Sequence, residues 1–331
     1  MGGDEGSAVP QFDLPLSELE RYLPMPTDEP DFDEFWIETL DLARRHDLAA
    51  SYVPVDALLE TVDVFDTAFS GWSGQPIAAW LLLPRHRSGT LPAVVEFLGY
   101  GNGRSMPYER LLFSAAGYAH LIVDARGQGA DGRPGVTPDP DPEPPTGQHP
   151  GFLTRGVTDP RTYYYRRLIT DAVRAVEAAR AHPEIDPHRV AVYGHSQRGG
   201  LALAVSALVP DVAAVLADVP FLCDVRRATE ITDAEPYAEL AAYVRSRRDD
   251  IDLVFRTLSY FDGVSFAARA AAPALFGVAL MDEVCPPSTV FAAYNHYTGP
   301  KQIRVWPYNG HESGQIFQQR ENLAFLREAL A

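Results

Sequence analysis

Apolar and polar positions change rhythm several times along the chain, and each rhythm predicts an element. Between residues 13 and 48, Phe35, Trp36, Leu40 and Leu42 recur at helical spacing, with Asp31 or Asp33 suited to the helix start. The segment "VDVFDTAFSGWSGQPIAAWLLLP" has two strand-like runs around Gly71-Trp72-Ser73-Gly74 and predicts a β-hairpin. From there the pattern alternates. "PAVVEFLGY" is an apolar run of central-strand type, "RLLFSAAG" a short helix, and "YAHLIVDARGQG" a strand entering a glycine-rich loop. "TYYYRRLITDAVRAVEAARAH" is a long helix with Leu168, Ala172, Val173 and Val176 on one face. "RVAVYG" (strand), "GGLALAVSAL" (helix) and "VAAVLADVPF" (strand) continue the series, which "APALFGVAL", "KQIRVWPY" and the final helix "IFQQRENLAFLREAL" complete. Strand–helix alternation of this kind builds a mostly parallel central sheet flanked by helices, an α/β fold.

Two stretches break the rhythm. Residues 129–156 are dense in proline, glycine and aspartate and predict a long irregular loop, which in a compact domain is usually functional or an interface element. Residues 223–263 hold two helical segments, "DAEPYAELAAYVRSRRDD" and "DLVFRTLSYFDG", inserted between sheet strands as a potential cap. With no internal repeat and no linker, the expectation is one domain spanning 1–331, with a helical and hairpin extension at its N-terminal side.

Composition narrows the partners. Of 331 residues 46% are hydrophobic, enough for a sizeable core. The 28 basic and 45 acidic residues leave a net charge of −17, which argues against nucleic acid, since that affinity rests on cationic neutralisation of phosphates. Two cysteines, Cys223 and Cys285, make no disulfide framework and fit a reducing compartment. No basic-then-apolar leader opens the chain and no apolar run reaches the length of a membrane span, so a soluble, cytoplasmic protein is expected.

The sharpest chemical signal is "VAVYGHSQRGG". A buried strand runs into Gly194-His195-Ser196-Gln197 and then into a helix, most of the G-x-S-x-G turn that presents a nucleophilic serine. A serine hydroxyl needs a base, and the base a carboxylate to orient it. The α/β-hydrolase fold carries these in the order Ser, Asp or Glu, His, each on a loop at the carboxyl end of a strand. Asp282 follows "ALFGVAL" and His311 follows "QIRVWPY". Glu283 is the rival acid, one residue on. The other histidines fit less well: His46, His86, His182 and His188 read as solvated, and His120 opens a strand. His149 lies in the proline-rich loop, His195 is expected to pack away from Ser196, and His296 sits in a helix. The backbone N–H of Gln197, after the serine, is one expected oxyanion donor. "FLGYGNG" offers that of Tyr100 as the second, although its glycines also suit an ordinary turn.

With these residues assembled, the sequence resembles the acetyl xylan esterases and cephalosporin C deacetylases, carbohydrate esterase family seven, over nearly its whole length. The resemblance rests on "FDLPLSELERY", "DFDEFW", "AFSGWSGQPI", Arg126-Gly127-Gln128-Gly129, "DPRTYYYRRLITDAVRAVEAA", "GHSQ", "DVPFLC", "FRTLSYFDGVSFAARA", "MDEVCPPSTVFAAYNHY" and His311-Glu312. It implies Ser196 as nucleophile, His311 as base, Asp282 as its orienter, and Tyr100 and Gln197 N–H as oxyanion hole. It also implies deacetylation of short acetylated xylo-oligosaccharides and cephalosporin C-type acetates, no metal or organic cofactor, and a homo-hexamer with sites facing an internal cavity. Tyr100 is then substrate-binding, and Cys285 lies near the acyl pocket, unless it is simply a small buried residue. Peracid formation from esters and hydrogen peroxide is a possible side activity.

One position departs from the family. Where it has glycine, this chain has Arg198. A side chain there is expected to enter the tight gap between the new helix and the neighbouring strands, where an unpaired charge costs several kcal/mol. Three accounts follow: Glu96 or Asp218 pairs with the arginine, the helix start is displaced and the oxyanion hole weakened, or the arginine is an introduced substitution. Lower activity than a glycine form is the expectation. Two alternative readings accompany it: a hydrolase of another small ester or peptide-like bond, and a hexameric scaffold disabled at Arg198.

Overall fold

A computed structural model of the chain describes residues 11–130, 132–140 and 151–331. His149 and the middle of the proline-rich loop lie outside the described residues, as do the first ten positions.

Nine strands form one sheet: β1 (Ser51–Val55), β2 (Val62–Ser70), β3 (Pro76–Pro84), β4 (Leu91–Glu96), β5 (Ala119–Val123), β6 (Ile185–His195), β7 (Ala214–Asp218), β8 (Ala274–Ala279) and β9 (Lys301–Trp306). Their spatial order is β1-β2-β3-β5-β4-β6-β7-β8-β9. The strands from β5 to β9 run parallel, and the β2–β3 hairpin joins β5 antiparallel. β4, β5, β7 and β8 are almost wholly buried, as their unbroken apolar runs require of strands covered on both faces. The turn between β2 and β3 is the glycine-rich one, wound as a short 3-10 turn at Trp72–Gly74.

The helix Tyr164–Ala181 packs on β6 and on the serine helix Gln197–Leu208, burying fifteen of its residues. At the N-terminal side, the helix Phe32–Arg44 buries Phe35, Trp36 and Leu40, while Leu42 is half-buried. Trp36 locks it down. Its indole donates to the Tyr260 carbonyl at 2.9 Å and its ring packs edge-on against Phe261.

Two features lie outside the sequence expectation. β1 is an exposed edge strand whose "SYVPV" has no apolar–polar alternation and carries Pro54, so nothing in its pattern marks it. Between β7 and β8 the described residues form four α-helices, Val225–Ile231, Tyr237–Ser246, Ile251–Ser259 and Gly263–Ala267, where two were expected. The first was missed because it buries only Val225 and Ala228. Among the described residues no helix is long and apolar enough to cross a membrane.

Replacing Trp36 with alanine removes a fully buried indole and its hydrogen bond. The expected loss is about 3–5 kcal/mol of unfolding free energy, read as a lower denaturant midpoint at unchanged slope.

Candidate active site

Strand β6 ends at His195 and the next helix starts at Gln197, so the reversal happens at Ser196 alone. Ser196 sits at φ 63°, ψ −127°, a strained conformation for a residue with a side chain. The turn closes because its flanks have no side chains. A Cβ at Gly194 would lie 2.0 Å from the backbone carbon of Arg198, and one at Gly200 would lie 2.3 Å from the Phe221 carbonyl oxygen. Both contacts are impossible for any other residue, so the tight packing of this elbow is carried by Gly194 and Gly200.

Three loops at the carboxyl end of the sheet bring Ser196, His311 and Asp282 together. His311 Nε2 lies 3.0 Å from Ser196 Oγ, and His311 Nδ1 lies 3.0 and 3.2 Å from the two Asp282 oxygens. A carboxylate only accepts, so Nδ1 carries the proton and Nε2 turns its lone pair to the serine hydroxyl. Asp282 is fully buried, and its Oδ1 also accepts from the N–H groups of Val284 and Cys285, each at 2.9 Å. The rival Glu283 is exposed to solvent. The cavity in front of Ser196 has a volume of about 440 Å³, with Tyr100, Asn102, His195, Arg198 and Val284 in its wall.

The N–H groups of Tyr100 and Gln197 have no acceptor among the described residues. Their positions are fixed from behind. Gln197 Nε2 donates to the Leu98 carbonyl at 3.0 Å, tying the elbow to the loop that carries Tyr100. Gln128 Oε1 accepts from Gly101 N–H at 2.7 Å, and its amide donates to Tyr164 and to Gln197. Tyr165 Oη donates to Gln197 Oε1 at 2.9 Å. Arg126, two residues before Gln128, is fully buried and forked onto Asp171 of the long helix at 2.5 and 2.8 Å. The Tyr100 hydroxyl is engaged by the insertion and by the loop before the long helix. It donates to Glu239 of the insertion at 2.6 Å and accepts from Phe152 N–H at 2.6 Å. Burial and the Glu239 carboxylate push its pKa well up, so it stays a neutral donor.

Cys285 is completely buried, with its sulfur within 4.8 Å of a side-chain ligand atom on Asp282 and on His311, and burial pushes the thiol pKa well up. Asp282, Cys285 and His311 each place one potential metal-ligand atom within 4.8 Å of the others. The carboxylate is already engaged by His311 and two backbone N–H groups, and the thiol is held protonated. The carboxylate and the imidazole are committed to hydrogen bonds, so the three do not form an open ligand set.

Several sequence expectations need correction. His195 does not pack away from the site: its ring stands 5.1 Å from that of His311, centroid to centroid, and Nδ1 meets Asp218 Oδ2 at 2.9 Å. The parallel register puts His195 directly beside Asp218, which no reading along the chain could reveal. His182 is buried against the Tyr52 ring rather than solvated, and burial lowers its pKa. Arg198 is not left as an unpaired charge. Its guanidinium swings to Glu96, with Nη1 at 2.9 Å from Oε1, and Nε donates to the His195 carbonyl at 3.0 Å. Asp218, the other proposed partner, holds His195 and Ser313 instead. The helix start is regular, with Gly199 N–H on the Ser196 carbonyl at 2.8 Å, so it is not displaced.

The roles of Gln128, Tyr165 and Glu239 were not read from the sequence. Gln128 stood in a recognised signature, but nothing along the chain says that its amide bridges two loops.

A serine–histidine–aspartate relay at the carboxyl end of such a sheet defines an α/β-hydrolase. The chain belongs to the acetyl xylan esterase (AXE1) family, which matches residues 9–329. That family is one of carboxylic ester hydrolases. The chain is similar to the solved acetyl xylan esterase from Paenibacillus sp. R4, at 40% identity and TM-score 0.91, covering 96% of this chain and 100% of that one. It is also similar to acetyl xylan esterase 1 from Thermoanaerobacterium sp. JW/SL YS485, at 33% identity and TM-score 0.89, over 97% and 100% of the two chains. The acetyl esterase Axe7A of Xylanibacter ruminicola is 29% identical over 85% of this chain, and the match spans 63% of that protein's length. Acylaminoacyl peptidase from Pyrococcus horikoshii shares the fold at 16% identity and TM-score 0.61, over 83% of this chain and 43% of that one.

Glu96 gives a pH prediction. Burial alone would raise its carboxyl pKa, but Arg110, His120 and Arg198 outweigh burial and hold it at about 2, below its ordinary 4.5. A depressed carboxyl stabilises the fold above pH 4.5, and that contribution is lost as pH falls toward about 2. Glu96→Gln should therefore be less stable than the parent at pH 7, and the gap in melting temperature should narrow between pH 4.5 and 2.

Proposed function

We propose that the chain is a serine esterase that removes acetyl groups from short acetylated sugars. The observation that carries this is the continuous relay Ser196–His311–Asp282, opening on a cavity beside two N–H groups without acceptors. Family membership and the likeness to two acetyl xylan esterases support acetylated xylo-oligosaccharide as substrate. Cephalosporin C-type acetates are proposed as further substrates.

In this reading, Ser196 Oγ attacks the acetyl carbonyl while His311 Nε2 takes the hydroxyl proton. Asp282 holds the imidazole in the required tautomer and stabilises the imidazolium that forms. The tetrahedral oxyanion accepts from the N–H groups of Tyr100 and Gln197, aided by the positive end of the helix beginning at Gln197. Collapse expels the sugar oxygen, which His311 protonates, and leaves acetyl-Ser196. Water deprotonated by His311 then releases acetate and restores the serine. Cys285, buried directly after Val284 of the cavity wall, is proposed to bound the acyl pocket and to favour short acyl groups.

Cys223 and Cys285 are free, buried thiols and fit the proposed cytoplasmic location. A hexamer is part of the proposal by family resemblance, and the exposed Val53 and Val55 on the edge strand β1 offer a surface for a neighbouring copy. The regular elbow speaks against a disabled scaffold.

Acetate release from p-nitrophenyl acetate and from acetylated xylo-oligosaccharide tests the reading. Ser196→Ala should lower kcat by about a million-fold with the fold intact. Equal rates in parent and variant would overturn it. Cys285→Ala should raise activity on the butyrate ester relative to the acetate ester, and an unchanged ratio would remove Cys285 from the acyl pocket.

A further inference from the structure

We infer that the Arg198–Glu96 ion pair is a positioning device that sets the spacing of the two oxyanion donors. This rests on the esterase reading of the same site. The geometry is specific. Glu96 ends β4, and four residues later the chain reaches Tyr100, one donor. Arg198 directly follows Gln197, the other donor. The ion pair therefore ties together the two segments whose N–H groups must converge on one oxygen. It is anchored on both sides. The Glu96 carboxylate is buried and also receives Arg110 at 2.5 Å and His120 at 2.9 Å, so it cannot follow a moving arginine. The Arg198 guanidinium is pinned a second time by the His195 carbonyl, one residue before Ser196.

A chain with glycine at position 198 would keep the neutral ties, the bond from Gln197 Nε2 to the Leu98 carbonyl and the Gln128 bridge from Gly101 N–H to Gln197. These hold the loop at Leu98 and Gly101, on either side of Tyr100. The ionic link adds a charged tie at the end of β4, where the loop leaves the sheet. Charge-assisted bonds are shorter and roughly twice as strong as neutral ones, and in a buried setting they resist solvent exchange. Complete removal of one oxyanion donor costs about 10²–10³ in rate. Loss of the ionic link moves a donor without removing it, so about a tenfold loss is expected. This reverses the sign expected from the sequence, where Arg198 stood as an obstruction.

The test uses the full chain with Arg198→Met, Arg198→Lys and Arg198→Gly, together with Glu96→Gln and the double variant Glu96→Gln/Arg198→Met. Three quantities are measured: kcat and KM on p-nitrophenyl acetate, the rate of Ser196 phosphonylation by a p-nitrophenyl alkylphosphonate, and melting temperature, with all rates taken well below melting. Arg198→Met and Arg198→Gly should each lose about tenfold in kcat at KM within about twofold, with phosphonylation falling in parallel. Arg198→Lys should recover part of the loss. The double variant should be no slower than the slower single variant, because both changes cut the same link. A folded Arg198→Met or Arg198→Gly enzyme with parental or higher kcat overturns the inference, as does a lowered melting temperature with kcat unchanged. If Glu96→Gln does not fold, the three Arg198 variants decide. A parent that is phosphonylated but hydrolyses no ester overturns the esterase reading alone, and the phosphonylation rates still report on the link. A parent inert to both reagents overturns both.

Discussion

Ser196 can be lifted out of the sheet only because strand β6 and the following helix meet with almost no space between them. The residue sits at positive φ, and the fold holds it there through contacts that leave no room for a Cβ at Gly194 or Gly200. Such a conformation costs about 1–3 kcal/mol and persists only where the surroundings over-determine it. Here they do. Ser196 N–H donates to the Asp218 carbonyl, and the Ser196 carbonyl accepts from Gly199, Gly200 and Phe221. The parallel pairing of β6 with β7 is therefore what keeps the serine presented.

Around that turn the polar groups form two connected sets. One runs from Asp171 through Arg126 into the loop of Gln128, and from Gln128 to Gln197 and Gly101. The other runs from Arg110 and His120 through Glu96 to Arg198. Both converge on the same few residues, those bearing the N–H groups of Tyr100 and Gln197. A buried polar network is stabilising only when its members are satisfied; here Arg126 and Glu96 have charged partners, and Gln128 and Gln197 are held by neutral hydrogen bonds. The second set also explains how the chain tolerates an arginine inside the elbow. The partly buried side chain is held by a carboxylate on the neighbouring strand and by the His195 carbonyl, so its charge is not left unpaired.

The insertion between β7 and β8 has a clear relation to this arrangement. Glu239, in its helix Tyr237–Ser246, accepts from the Tyr100 hydroxyl, and the Tyr237 hydroxyl accepts from Leu222 N–H, just after β7. The loop residues Phe152 and Leu153 complete the same anchor on Tyr100. Thus a segment that reads along the chain as a cap lines the cavity with Glu235 and Pro236 and also anchors its Tyr100 wall.

The sequence by itself determined the alternation of strands and helices, the hairpin at Gly71–Gly74, the elbow at Ser196, and the order in which Ser196, Asp282 and His311 arrive. These are local or periodic signals: apolar runs, glycine at a turn, and polar residues just past strand ends. Tertiary structure alone decided which acid pairs with which base. His195 finds Asp218, and Arg198 finds Glu96, because parallel strands distant in sequence are set side by side in a fixed register. The edge strand β1 and the weakly buried helix Val225–Ile231 were illegible for a related reason. Their conformations are set by what they pack against, and their own residues carry too little periodic pattern to declare it.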